Sequence, residues 1–296
     1  MPPPNITHAS PLRQHLHQHM LAYQVVGILL ALLLSIGGTV WLLKSQRQSF
    51  AEERPRPVAI DYEATEALTP FQERQLLHEI LENAISAQGG RVFVDRLLTV
   101  KKVGTLTQQD SVMEVNYAFK RPNRVRYRLE QDERGFRIGY DGTRAWIQGF
   151  SSGRLADATP LGDDDASSLI LTSELALPAV LFFDESQYMT IAGETEIEGR
   201  LCYILDYRGP LRAAQRFYID QENYLLRKRA RQARFRGEDH TLVEVLYRDF
   251  RTRDGIEVPF HEEVYFDGEL QTAFAIEEYI LNPGILDEFF EMPDES

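Results

Sequence analysis

The chain has 296 residues, a formal net charge of −13, 43% hydrophobic residues and a single cysteine. That is enough apolar material for one sizeable core, and one cysteine excludes an intrachain disulfide. An acidic chain repels nucleic-acid phosphates unless it segregates a strongly basic face, so nucleic acid is not an expected partner.

Residues 1–50 carry three of the 32 Lys/Arg (Arg13, Lys44, Arg47) and none of the 45 Asp/Glu, so the rest is more acidic still. Residues 1–20 read as a polar tail. His15, His17 and His19 lie there, and in that setting they read as solvated side chains rather than metal ligands. Residues 21–43, "LAYQVVGILLALLLSIGGTVWLL", hold no charge. As a helix rising ~1.5 Å per residue they span ~34 Å, enough to cross a bilayer core. A cleavable signal is the rival reading, with Ser35-Ile36-Gly37 as the small-residue site, but the apolar run continues through Val40 to Leu43. Residues 44–67 read as a linker, stiffened by "EERPRP". Lys44, Arg47, Arg54 and Arg56 follow the apolar run against Arg13 before it, which by positive charge alone would leave the following domain in the cytoplasm.

From about residue 68 to 296 the chain reads as one domain. Thr69, Pro70 and Gln72 form a capping box with proline at the first helical position. Leu76, Leu77, Ile80, Leu81, Ala84 and Ile85 then recur at helical spacing until Gly89-Gly90 ends the helix. After about Thr99 the period changes to two. "SVMEVNYAFK" places Met113, Val115, Tyr117 and Phe119 on one face. "RVRYRLE" places Val125, Tyr127 and Leu129 opposite Arg124, Arg126 and Arg128, and "FRIGY" adds Phe136, Ile138 and Tyr140. Pro122-Asn123, Glu133 to Gly135 and Asp141-Gly142 read as turns, the last suiting a tight hairpin. Further alternation at about 188–197, 200–208, 214–220, 224–235, 239–250, 256–266 and 269–281 brings the expectation to about eleven or twelve antiparallel strands in one curved meander. A helical stretch at about 166–183 interrupts them.

The arginines at 124, 126 and 128 read as the wet side of a strand. A second basic run, "RKRARQARFR" at 227–236, has no acid; on a shared convex face the two runs could meet anionic lipid head groups or an acidic partner. The aromatic residues alternate to the face opposite the arginines, which argues against single-strand binding. Cys202, within "LCYILDY", reads as a packing residue. "DDDASSLILTSE" at 163–174 places Asp163, Asp165, Ser167, Ile170 and Glu174 at calcium-loop positions, but Ser168 stands where glycine is required, so an acidic helix start is the better reading. There is no nucleophile elbow, H-E-x-x-H, C-x-x-C or phosphate-binding glycine loop. Neither cofactor nor metal nor enzymatic activity is expected.

"FKRPNRVRYRLE", "GYDGTRAW", "GETEIEGRLCYILDY", "RFYIDQENYLLRK", "YRDFRTRDGIEVPFHEE" and "NPGILDEFFEMP" follow one another in an order that resembles LolA-like proteins, the outer-membrane lipoprotein-sorting proteins and their relatives. The resemblance implies a half-open antiparallel barrel with covering helices, a mostly β member of the α+β class, here preceded by one transmembrane helix. It also implies an apolar concavity that binds acyl chains of lipids or lipoproteins without chemistry. Its lining would be Met113, Val115, Tyr117, Phe119, Val125, Tyr127, Leu129, Phe136 and Ile138, with Leu76, Leu77, Ile80 and part of Leu169 to Phe183 as lid. The resemblance places the domain in the periplasm, on a single-pass anchor in the inner membrane, against the charge count. A sorting carrier is soluble, so an anchored relative would receive, present or sense lipid at its own membrane. Regulatory LolA-like domains that bind an envelope protein are the alternative.

Overall fold

The computed structural model describes residues 69–109, 111–162, 166, 169, 185–210, 214–233 and 241–294. The polar tail, the apolar run 21–43, the linker 44–67, the calcium-like loop and nearly all of the helical stretch 166–183 lie outside them. The described residues belong to a unit that starts at Ile60.

The capping box forms as the sequence predicts. Gln72 N–H donates to Thr69 Oγ1 at 3.3 Å, and Thr69 N–H donates to Gln72 Oε1 at 2.9 Å. It opens helix α1, Pro70–Ala87. Gly89 follows with φ of 93°, and a Cβ there would sit 2.3 Å from Ile256. Both the left-handed backbone and the close approach therefore demand glycine. The Gly-Gly pair does more than end α1, because a second short helix, α2, runs from Gly90 to Arg96.

The strands are β1 (Thr99–Gln108), β2 (Ser111–Lys120), β3 (Arg124–Gln131), β4 (Arg134–Tyr140), β5 (Ala145–Ser151), β6 (Arg154–Leu155) and β7 (Thr159–Pro160). They continue as β8 (Met189–Ile197), β9 (Arg200–Tyr207), β10 (Gln215–Asp220), β11 (Leu226–Ala233), β12 (Thr241–Arg253), β13 (Ile256–Phe266) and β14 (Glu269–Leu281). Among the described residues twelve strands have six residues or more, and two have only two. All pair antiparallel in one open sheet of order β6-β5-β4-β3-β2-β1-β14-β13-β12-β11-β10-β9-β8, with β7 also on β5.

The topology departs from one continuous meander. The first meander spreads from β1 to the β6 edge, the chain crosses to the β8 edge, and a second meander returns to close on β1, where Val100 pairs with Leu281. Alternation dictates which residues share a face but says nothing about which strands pair, so the interruption at about 166–183, where the crossover falls, gave no sign that the chain resumes at the other edge. The Asp141-Gly142 connection is also longer than a two-residue hairpin. Tyr140 pairs with Ala145, and the Asp141 carboxylate accepts the backbone N–H of Thr143 (2.8 Å) and Arg144 (2.7 Å) to shape a four-residue loop.

The core at one end joins Ile80, Leu81, Ala84, Ile85 and Val94 to Leu205, Tyr207, Phe217, Ile219, Leu226, Val245 and Tyr247. Helix α1 therefore covers the inner face of β8–β12. Cross-strand pairing carries the same face across the sheet, from Tyr247 to Glu262, Phe274, Leu106 and Met113, and from Lys102 to Tyr117, Tyr127 and Ile138. At the β1–β14 seam Gly104 is needed, because a Cβ there would lie 2.0 Å from the Ala275 carbonyl oxygen beside a bulge.

Candidate functional site

The nine strand residues expected to line a concavity do share this inner face, on three adjacent strands. Eight are buried, with Met113 the most open of them at 7%, and Tyr127 is half-buried, its ring centroid 4.8 Å from that of Tyr117. The three helix residues lie elsewhere along the face. Ile80 is buried in the β8–β12 cluster, and Leu76 and Leu77 pack against its edge. So the structure brings the nine together and places the helix trio over the other meander. Leu169 is buried, and Leu171 to Phe183 fall outside the described residues.

Between these two groups lies a polar centre that the sequence reading missed. Lys102 Nζ sits 2.5 Å from Glu262 Oε1, with the lysine 5% exposed. The same ammonium lies 5.5 Å from the Tyr117 ring centroid and 5.3 Å from that of Tyr279. The Tyr117 and Tyr247 hydroxyls are buried and have no hydrogen-bond partner among the described residues. Arg229, 2% exposed, shares this face too, its guanidinium 5.7 Å from the Phe217 ring. Burial works against the Lys102 charge, but the Glu262 carboxylate and the tyrosine ring overcome it and hold the ammonium above the usual lysine range. It therefore stays protonated and cannot act as a base or an amine nucleophile near neutrality. Burial likewise pushes Tyr247 up to about 12 and Tyr117 well above its ordinary value. Two strand patterns held the signal. In "TVKKVGTL" and "VPFHEEVYF", Lys102 and Glu262 stand at positions whose neighbours two residues away are apolar.

The outer face is a further correction. The arginines of β3 are not a plain wet face, because the C-terminal segment after β14 lies across them. Asp287 reaches Lys120 (2.6 Å) and Arg124 (3.3 Å), and Arg126 donates to the Phe289 carbonyl. Trp146 Nε1 donates to the Phe290 carbonyl at 2.8 Å, and the Phe290 side chain is fully buried. Arg126 lies 4.4 Å from the Phe289 ring and 5.3 Å from Trp146, while Arg128 lies 4.4 Å from Phe150. Aromatic residues and arginines thus do share a surface here, contrary to the expectation. Gly139 makes room for it, since a Cβ would sit 2.4 Å from the Trp146 ring. Burial first, then Arg137 and Arg128, brings Arg126 down to about 10. The second basic run is split between faces: Arg229 points inward, whereas Lys228 pairs with Glu244 at 3.0 Å.

Cys202 is fully buried, and burial pushes its thiol up to about 11, which suits packing and not reactivity. Among the described residues no cluster of His, Cys, Asp and Glu could hold a metal, and no helix is long and apolar enough to cross a membrane.

No protein-family model matches the chain, and no curated protein matches it. Solved structures do. A lipoprotein-sorting protein domain from Vibrio parahaemolyticus, described as a putative outer-membrane one, is 10% identical with a TM-score of 0.47 over 72% of this chain and 94% of that one. A LolA superfamily protein from Nitrosomonas europaea is 15% identical with a TM-score of 0.47 over 73% and 97%. The Mycobacterium tuberculosis lipoprotein LppX is 12% identical with a TM-score of 0.30 over 72% and 98%. Such values are too low to carry residue roles or ligands across. The solved structures to which this chain is similar thus include two described in the terms of the LolA-like family that its ordered segments resemble.

Proposed function

We propose that this protein is a non-enzymatic, membrane-anchored lipid- or lipoprotein-binding protein of a bacterial envelope, involved in lipoprotein sorting or lipid handling. Residues 21–43 hold it to the inner membrane, and the domain from 68 onward works in the periplasm. Acyl chains bind against the inner face of the open sheet. One observation carries the reading: nine aliphatic or aromatic residues share one face of β2–β4 in a sheet whose two edges do not pair among the described residues. Apolar surface buried there by an acyl chain contributes roughly 25 cal/mol per Å². The resemblance to LolA-like proteins points the same way.

A second reading is a regulatory or scaffolding domain that binds an envelope protein. The near-complete burial of eight of the nine residues favours it, since a face filled by its own chain has no room for lipid.

Lipid occupancy separates the two. Full-length protein purified in dodecyl maltoside is expected to carry more acyl lipid, by mass spectrometry of an organic extract, than the Tyr127→Arg variant, which keeps the same anchor. Once stripped, the wild-type protein is expected to take up a fluorescent fatty acid, and Tyr127→Arg, a charge on the half-buried member of the face, is expected to abolish uptake while circular dichroism stays unchanged. Failure of folded wild-type protein to take up any acyl probe would replace the carrier reading with the scaffold.

A further inference from the structure

The outer face of β2–β4 contains a pocket of about 620 Å³, lined by Lys101, Asn116, Arg126, Arg128, Arg137 and Phe289 among others. Four cations meet there on an otherwise acidic protein. Arg128 and Arg137 stand directly opposite each other on β3 and β4, and Asn116 stands opposite Arg128 on β2. Like charges directly opposite on neighbouring strands destabilise a sheet unless an anion sits between them. Little inside the molecule supplies that anion. Arg128 bonds to Glu130 at 2.7 and 3.1 Å, and Arg126 is bonded to the Phe289 backbone carbonyl, which carries no charge. Among the described residues Arg137 and Lys101 have neither an ion pair nor a hydrogen bond. The nearby Asp287 is engaged by Lys120 and Arg124.

We propose that this pocket is an anion site for a phosphate group, set on the face opposite the acyl-binding one and walled on one side by the C-terminal segment. The Arg137 guanidinium presents its fork unengaged, and Arg126 and Arg128 add the N–H groups that Phe289 and Glu130 leave over, a set of donors that suits the several oxygens of a phosphate. Ile285, Phe289 and the aliphatic stems of the basic residues make most of the exposed lining apolar, so the phosphate belongs either to a lipid head group or to free phosphate held at the cationic end.

Calorimetry on the full-length protein in dodecyl maltoside, at about 150 mM salt to screen diffuse attraction, tests it with inorganic phosphate and with short-chain dihexanoylphosphatidic acid. Saturable binding is expected for at least one probe. Arg137→Gln is expected to weaken it by about tenfold or more, from the loss of a charge-assisted fork. Arg134→Gln, an equal change of charge at an exposed position outside the pocket lining, should leave it unchanged. Arg137→Lys keeps the charge but not the fork, and is expected to be intermediate; it serves in place of Arg137→Gln if that variant loses its native circular dichroism. At least tenfold tighter binding of the lipid, weakened by Arg137→Gln but not by Tyr127→Arg on the inner face, identifies a head group. Equal binding of the two probes identifies free phosphate. Lipid binding indifferent to Arg137→Gln belongs to the acyl-binding face and counts against the site. Absence of saturable heat with both probes, or equal weakening by Arg134→Gln and Arg137→Gln, overturns the proposal.

Discussion

Replacing Phe290 by alanine tests whether the C-terminal segment is part of the folded domain. The side chain is fully buried, stacks edge-on against Phe289 at a centroid distance of 5.3 Å, and stands where the backbone accepts the Trp146 indole N–H. An aromatic side chain buries ~200 Å², which at ~25 cal/mol per Å² is worth ~5 kcal/mol. That is an upper value, because the unfolded chain already hides some of this surface. Measured losses for Phe→Ala in cores run about 3–5 kcal/mol, and that is the expected cost here. Phe289 provides the internal comparison. It is 43% exposed and its main partner is the Arg126 guanidinium, so Phe289→Ala is expected to cost about 1 kcal/mol. The assay is urea unfolding followed by Trp146 fluorescence, with Trp41 replaced by phenylalanine so that one indole reports. If Phe290→Ala costs no more than Phe289→Ala, the segment only rests on the sheet and the packing argument is wrong.

The Lys102–Glu262 pair is expected to be costly to break and cheap to replace: Lys102→Met should lose about 2–3 kcal/mol by stranding a half-buried carboxylate, less than a fully buried pair would, while the Lys102→Met/Glu262→Met double variant should recover most of it. A double variant no more stable than the single one would refute this. The same cluster makes stability depend on alkaline pH. Lys102, Tyr117 and Tyr247 all have raised pKa values, so their contribution is complete below the unfolded-state values near 10 and is lost as pH rises through the folded ones. Denaturant midpoints should therefore fall above about pH 10, with buried tyrosines ionising at 295 nm only as the chain unfolds; a midpoint flat to about pH 12 would contradict it. For topology, a Glu269→Cys variant with Cys202 replaced by serine is expected to react with an impermeant maleimide in intact spheroplasts. Labelling only after lysis would put the domain in the cytoplasm.

Much of the fold could be read from the sequence because each strand has one wet and one buried side. The strands expected at 256–266 and 269–281 form with those bounds, and Thr69, Pro70 and Gln72 cap the helix as the capping rule requires. What could not be read is what covers each face. Arg124, Arg126 and Arg128 alternate as solvent-facing residues do, yet a segment far downstream covers Arg124 and Arg126, and nothing local encodes that contact. Lys102 and Glu262 were legible in principle as charges breaking two apolar alternations. They pass unnoticed when each strand is read alone, since they are joined only by the β1–β14–β13 pairing order.

The seam between β1 and β14 has a kinetic consequence. The first strand of the sheet cannot be completed until the last has been synthesised, so during translation the earlier meander waits with β1 as a bare edge. Such long-range closure is slow, and an unpaired edge of ten residues is a template for pairing with other chains. A chain cut short after β13 would leave both meanders with an open edge at the seam. Aggregation, and not a stable half-domain, is the outcome this topology prepares for truncated copies.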